Sequence, residues 1–192
     1  METLPGGLFG PAVVAALVAA AITWGREAYL DRTRRRERVR DVQIALAAEI
    51  RAYVAVLERD DPAVYGAAMG ARIREAGDGE GRFTPFILRE RNDTVFNALL
   101  PEIQMVPEGA VDDVVVYYQQ TVAIAALAED MRTEAYGALE AERRAAIYAD
   151  YTSMKVEALR LGKAALASLG RSVGRDEAEP PISSPVEDRS GR

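Results

Sequence analysis

The sequence contains neither cysteine nor histidine among its 192 residues. Without cysteine, the chain has no disulfide and no thiolate to act as a nucleophile or metal ligand. Without histidine, it lacks the side chain that most often serves as a general base near neutral pH and as a transition-metal ligand. Ser-His-Asp and Cys-His catalysis, HExxH metalloprotease sites and zinc fingers are therefore excluded. Lysine is scarce, since only Lys155 and Lys163 occur, whereas alanine and arginine are frequent, which indicates a GC-rich bacterial genome.

The chain has a formal net charge of −6, so its overall charge does not favour nucleic acid as a partner. Its arginines are unevenly distributed, and seven of them lie close together near the N-terminus. These are Arg26, Arg32, Arg34, Arg35, Arg36, Arg38 and Arg40. The run has two interpretations. It binds anionic lipid headgroups, at about 1 kcal/mol per residue, or it determines membrane topology and has no further role.

The longest uncharged stretch runs from Leu8 to Trp24, directly before the arginine run. Counted from Leu4, it covers roughly 20 residues, enough for a helix to cross about 30 Å of hydrocarbon. Its N-terminal flank carries no lysine or arginine, unlike a cleaved signal peptide. The sequence therefore predicts a transmembrane anchor over 1–25. Its orientation follows from the arginine run, because basic residues stay in the cytoplasm. The protein would be single-pass in a bacterial inner membrane, with its N-terminus outside and its C-terminal domain cytoplasmic. A buried alanine-rich helix of a soluble protein is the alternative.

Three alanines within this stretch, Ala12, Ala16 and Ala20, are spaced four residues apart. Small residues at that spacing let two membrane helices approach closely, so they predict a helix–helix contact within the membrane. The alternative is that any alanine-rich stretch produces this spacing by chance.

Helical periodicity continues after the arginine run. Apolar residues from Val39 to Leu57 recur at steps of three and four, and Pro62 follows the end of the pattern. The sequence therefore predicts three further parts of the chain. They are a basic juxtamembrane helix over 26–60 that continues into the bundle, a helical bundle domain over 61–170 and a disordered tail over 171–192.

Two later helices have strong apolar patterns. One begins near Pro107 and is apolar on two sides, which is typical of a helix buried at the centre of a domain. The other runs from about Ala138 to Leu169, and its coiled-coil-like seam suits an antiparallel partner. The predicted fold class is all-α: one N-terminal transmembrane helix, then a cytoplasmic bundle of three to four main helices and the disordered tail.

Two segments of the predicted bundle domain lack a helical pattern. The glycine-rich stretch 77–81 has no Gly-Lys-Ser/Thr as in a phosphate loop, and we interpret it as a plain connector. Residues 83–88 are expected to form a short extended segment packed on the domain. Asn92 or Asp93 is expected to cap the short helix that follows.

The remaining candidates for chemistry are carboxylates and tyrosines. The carboxylate pairs more readily form helix starts and solvated faces than acid–base sites. These pairs are Asp60/Asp61, Asp112/Asp113, Glu129/Asp130 and Glu140/Glu142. Adjacent helical residues do not face the same way, which weakens Asp112/Asp113 and Glu129/Asp130 as joint sites. Tyr117, Tyr118 and Tyr151 are candidates to line a ligand pocket, with core packing as the alternative. No catalytic residue, cofactor or metal site is predicted.

These features predict a non-enzymatic, membrane-anchored interaction module, either a scaffold or an accessory subunit at the cytoplasmic face of the membrane. Its expected partners are the membrane, through the single span, and a protein partner or further copies of the chain. Nucleic acid is not expected. The alternative is a membrane-tethered sensor whose helical bundle binds a small ligand or a lipid.

Overall fold

The computed structural model describes residues 11–79 and 82–178, and all regular secondary structure in these ranges is helical. Six α-helices follow one another, and a 3₁₀ turn over Leu100–Met105 comes directly after the third. The helices are α1 (Pro11–Asp60), α2 (Pro62–Ala76), α3 (Thr94–Leu99), α4 (Glu108–Asp130), α5 (Glu134–Ala138) and α6 (Ala141–Ala178). The predicted disordered tail begins inside α6, which passes Gly170, and the rest of it lies outside the described residues.

The chain divides into two units, of which the first ends at Asp41 and the second begins at Val42. In the first unit α1 exposes every described apolar side chain from Ile22 to Leu30, including Trp24, which is 79% exposed. The seven arginines of the run are exposed on the same helix. Among the residues whose burial the structure describes, all buried core residues belong to the second unit, and the first of them is Val42.

The predicted transmembrane anchor is wrong. None of the helices in the described ranges combines the length and the apolar character that a membrane crossing requires. The described helix starts at Pro11 and meets its first charge at Arg26. Residues 1–10 of the predicted anchor lie outside the described ranges, and many residues of the described part before Arg26 are weakly apolar alanines. The single-pass inner-membrane placement and its orientation lose their support with the anchor.

The site interpretations that rested on the anchor lose that premise as well. Ala16 and Ala20 are exposed on α1, and the side chain of Ala12 lies outside the described part of the structure. The topology role of the arginine run loses its support, because no described helix can serve as the membrane span. The lipid-binding role stays a prediction.

The longest helix of the second unit, α6, packs against both α2 and α4. Its predicted seam lies on the packed face, where Tyr151, Ala158, Ala165 and Ser168 are buried. Two glycines permit close contacts between α6 and its neighbours, one on α2 and one on α6 itself. A Cβ atom on Gly66 of α2 would lie within 3 Å of the Thr152 side chain, and one on Gly162 would lie 2.6 Å from Val54 Cγ2. These positions therefore hold the helices closer together than alanine would allow.

Helix α4 is buried on one side only. Val114, Tyr117, Thr121, Ile124 and Ala128 form its core face. The other apolar side predicted from the sequence consists of Val111, Val115, Tyr118, Val122 and Ala125. Of these Tyr118 alone is buried, and Val122 is exposed. The central position therefore belongs to α6, which contacts helices on both sides, and not to α4 as the sequence pattern predicted.

Candidate interaction groove beside the extended segment

Residues 82–93 form the long non-helical connection between α2 and α3. Their side chains alternate, since Pro85 and Ile87 are buried while Thr84, Phe86 and Leu88 are exposed. This period of two is typical of an extended chain lying on a core. The sequence prediction of an extended segment over 83–88 is confirmed. We call residues 82–93 the extended segment.

Glu90 fixes the C-terminal half of the extended segment to the helices. Its side chain is only 9% exposed and accepts hydrogen bonds from the hydroxyls of Tyr151 at 2.6 Å and Tyr53 at 3.3 Å. It also pairs with Lys155 Nζ at 2.7 Å and accepts a bond from Asn92 Nδ2 at 3.1 Å. Burial alone would raise the pKa of Glu90, but the bonds from Lys155 and Tyr151 outweigh it and hold the pKa below its usual value. Glu90 is therefore an ionised, fully bonded structural carboxylate.

Arg144 fixes the N-terminal end of the extended segment from α6. Its fully buried guanidinium donates to the backbone oxygens of Phe83 at 2.7 Å, Gly77 at 3.0 Å and, through Nε, Leu139 at 3.1 Å. It also pairs with Asp78 Oδ1 at 3.3 Å, and the same oxygen accepts a bond from the first backbone N–H of α6. The stretch 77–81, predicted as a plain connector, is thus tied to the core at its described end.

Glu49 holds the start of α3, which directly follows the extended segment. Its carboxylate accepts the backbone N–H groups of Val95 at 2.7 Å and Phe96 at 3.0 Å, and the Tyr118 hydroxyl at 2.7 Å. Asp93 occupies the N-cap position but makes no side-chain capping bond. The predicted local cap is therefore replaced by a carboxylate from α1.

A groove opens beside the extended segment, where the corner between α1 and α2 meets α6. It encloses a cavity of about 410 Å³. Phe86, which is 87% exposed, and Leu88, which is 65% exposed, line one side. Ile87 of the same segment also contributes. The rest of the lining comes from the helices and is mostly apolar or aromatic: Val56, Leu57, Asp60, Pro62, Tyr65, Tyr148, Tyr151, Thr152 and Lys155. We call this feature the Phe86 groove.

Of the three tyrosines predicted to line a ligand pocket, only Tyr151 borders the Phe86 groove. Tyr118 is buried, stacks on Phe96 at 4.0 Å between ring centroids and bonds Glu49. Tyr117 is fully buried, and its hydroxyl has no hydrogen-bond partner among the described residues. Burial raises the pKa of all three phenols, so they stay protonated at neutral pH. The structure therefore does not bring the three together in one pocket.

The arrangement offers binding surface rather than acid–base chemistry. The Glu90 carboxylate is occupied by four donors, and Lys155 pairs with it while lying 4.7 Å from the centre of the Tyr151 ring. Asp61 accepts the N–H of Val64 at the start of α2, as expected for a helix-start carboxylate. Within the described ranges, no three carboxylates converge as metal ligands would.

Sequence reasoning missed Glu49, Glu90 and Arg144, the three residues that organise this region. Their long-range partners lie between 37 and 69 residues away, and no local pattern encodes such pairings. One signal was present for Arg144, which lies three and four residues before Ile147 and Tyr148 and so extends the packed stripe of α6. A charged residue on an apolar stripe indicates a buried partner.

Comparison with known proteins adds no further constraint, because no family model, curated protein or solved structure matches this chain significantly.

Proposed function

We propose that this chain is a non-enzymatic interaction module that binds a protein partner through the Phe86 groove. The observation that carries the proposal is the exposure of Phe86 and Leu88 at the edge of a mostly apolar cavity. Single exposed apolar residues are ordinary, but large ones clustered around a concave surface are typical of binding sites. Aromatic side chains in such places dominate binding energies.

The rigidity of the groove supports the same proposal. Glu90 and Arg144 hold the extended segment at its two ends, so Phe86 and Leu88 project from a fixed backbone. A preformed surface loses little conformational entropy on binding, and more of the contact energy therefore appears as affinity. The absence of histidine and cysteine from the sequence, together with the fully bonded Glu90, also favours binding over catalysis.

A photo-crosslinking amino acid at position 86 tests this proposal in cells that produce the full chain. The same amino acid at position 122 of α4 is the control, because Val122 is also exposed and apolar but lies outside the groove lining. We expect one discrete protein adduct from position 86, and its loss when Tyr65→Glu is added. Equal adducts from positions 86 and 122, or an adduct that Tyr65→Glu leaves unchanged, would contradict the proposal.

Small-ligand binding is the second candidate, and the size of the cavity favours it. A volume of about 410 Å³ falls within the usual range of ligand pockets, roughly 300–1,000 Å³. Lys155 and Tyr151 would supply the polar contacts at its wall. Thermal shift of the full chain against a metabolite library tests this candidate. A specific shift that Tyr151→Phe reduces would favour a small ligand over a protein partner.

A further inference from the structure

The exposed part of the extended segment has an unpaired backbone. Within the described chain, the N–H and C=O groups of residues 84–89 form no backbone–backbone hydrogen bond. The burial of side chains alternates from Thr84 to Leu88, as it does in an extended chain. In the free protein, water satisfies such groups at the surface.

We infer that the partner of the Phe86 groove presents an extended strand, which pairs with the backbone of residues 84–88; this inference rests on the proposed function. Any partner that covers Phe86 and Leu88 also removes water from the backbone beside them. A helical partner can replace that water only through scattered polar side chains, because its own backbone groups are already paired. An extended strand supplies free N–H and C=O groups in register.

One edge of the extended segment offers more N–H donors for this pairing than the other edge does. In an extended chain, residues 84, 86 and 88 direct their backbone groups to one edge, and 85, 87 and 89 direct theirs to the other. Pro85 has no N–H, so the first edge offers three donors and the second offers two. We therefore assign the partner strand to the edge of residues 84, 86 and 88.

The side chains of the partner follow from the same geometry. Alternate residues of a strand point to one face, so those at positions i and i+2 would contact the apolar groove wall. Arg91 lies three residues after Leu88 and is exposed, whereas Arg89 pairs with Glu129 at 3.2 Å. An acidic residue flanking the apolar pair would complement this charge.

Selection from a library of random twelve-residue peptides tests the inference. The full chain is the target, and the Phe86→Glu variant removes peptides that bind elsewhere. We expect the selected peptides to share large apolar or β-branched residues at i and i+2. Apolar residues at i, i+3, i+4 and i+7 would indicate a helical occupant and overturn the inference while leaving the proposed function intact. Failure to recover any peptide that depends on Phe86 would count against both.

A proline substitution then separates backbone pairing from side-chain contact. Leu88→Pro removes the side chain and the backbone N–H, whereas Leu88→Ala removes only the side chain. Arg89→Pro removes an N–H from the opposite edge. For a selected peptide we expect Leu88→Pro to weaken binding about tenfold more than Leu88→Ala, since one hydrogen bond contributes about that factor. We expect Arg89→Pro to have a much smaller effect.

Equal losses from Leu88→Pro and Leu88→Ala would show that the backbone is not engaged and would overturn the inference. Thermal melts of each variant confirm that the fold is kept. Hydrogen exchange gives an independent measurement, because bound peptide should slow exchange at the amides of Phe86 and Leu88. Unchanged exchange at both amides would also overturn the inference.

Discussion

Arg144 is the largest fully buried side chain in the second unit, and it carries a charge. Replacing it by methionine keeps the volume but leaves the backbone oxygens of Gly77, Phe83 and Leu139 without their donor. We expect Arg144→Met to lower the free energy of unfolding by about 3 kcal/mol. Urea denaturation measures this loss. The neighbouring Arg143→Met is the control, because Arg143 is exposed, and a comparable loss there would contradict the assignment.

Glu90 makes the stability of the protein depend on pH in the acid range. Its pKa in the folded protein lies below the value of about 4.5 in the unfolded chain, so its contribution is fully present above that value. The contribution is lost as the pH falls through the lower, folded pKa. We expect Glu90→Gln to cost about 2 kcal/mol at neutral pH, and the difference from the wild type to shrink at pH values below the unfolded pKa.

Denaturant unfolding at a series of pH values measures that difference. Glu75→Gln on α2 is the control, since Glu75 is exposed and should show no comparable difference at any pH. A difference between Glu90→Gln and the wild type that stays constant through the acid range would mean that the carboxylate charge is not responsible.

The packing of α6 depends on glycines at two contacts, Gly66 and Gly162. Alanine usually stabilises a helix relative to glycine, but at these contacts we expect alanine to destabilise the protein. Gly66→Ala would place a Cβ against Thr152, and we expect a loss of about 1–3 kcal/mol from overpacking. Gly170→Ala, also within a helix, meets nothing within 4 Å, and we expect a gain of about 0.5–1 kcal/mol. Thermal unfolding compares the two, and effects of the same sign would contradict the packing described for α2 and α6.

The sequence predicts the ends of the helices well where local signals are strong. Proline and aspartate mark the end of α1 and the start of α2, and Pro107 marks the start of α4, all as expected. The prediction placed the start of the last helix near Ala138, whereas α5 ends there and α6 begins at Ala141. Thr133 caps α5 through its side chain, which is a signal that the apolar pattern alone does not contain.

The candidate site was less predictable than the helices. Phe86 was expected in an extended segment, but its exposure depends on which side of the segment meets the core. The distant partners of Glu49, Glu90 and Arg144 follow from the packing of α1 and α6 around that segment. The transmembrane prediction failed because it counted uncharged residues, whereas the described part of that stretch contains many weakly apolar alanines and is not apolar enough to cross a membrane.

At the scale of the whole molecule, the buried core begins at Val42. A chain that starts at residue 37 keeps one further helical turn before the core. We expect it to unfold cooperatively, with a free energy of unfolding within about 1 kcal/mol of that of the full chain, since none of the removed residues with a described burial is buried. Circular dichroism melts of both proteins give the comparison. A truncated chain that does not unfold cooperatively would show that the first unit is needed for folding.

The position of the single tryptophan has a practical consequence for such measurements. Trp24 lies in the first unit, whereas Tyr53, Tyr117, Tyr118 and Tyr151 are buried in the second. Because Trp24 is already exposed, the polarisation of indole emission, which depends on how freely the ring moves, monitors the part of the chain before Val42. The ultraviolet dichroism of the buried phenol rings monitors the core. Because two probes that follow one cooperative transition must coincide, recording both signals in a single titration reveals whether the two units melt together or in separate steps.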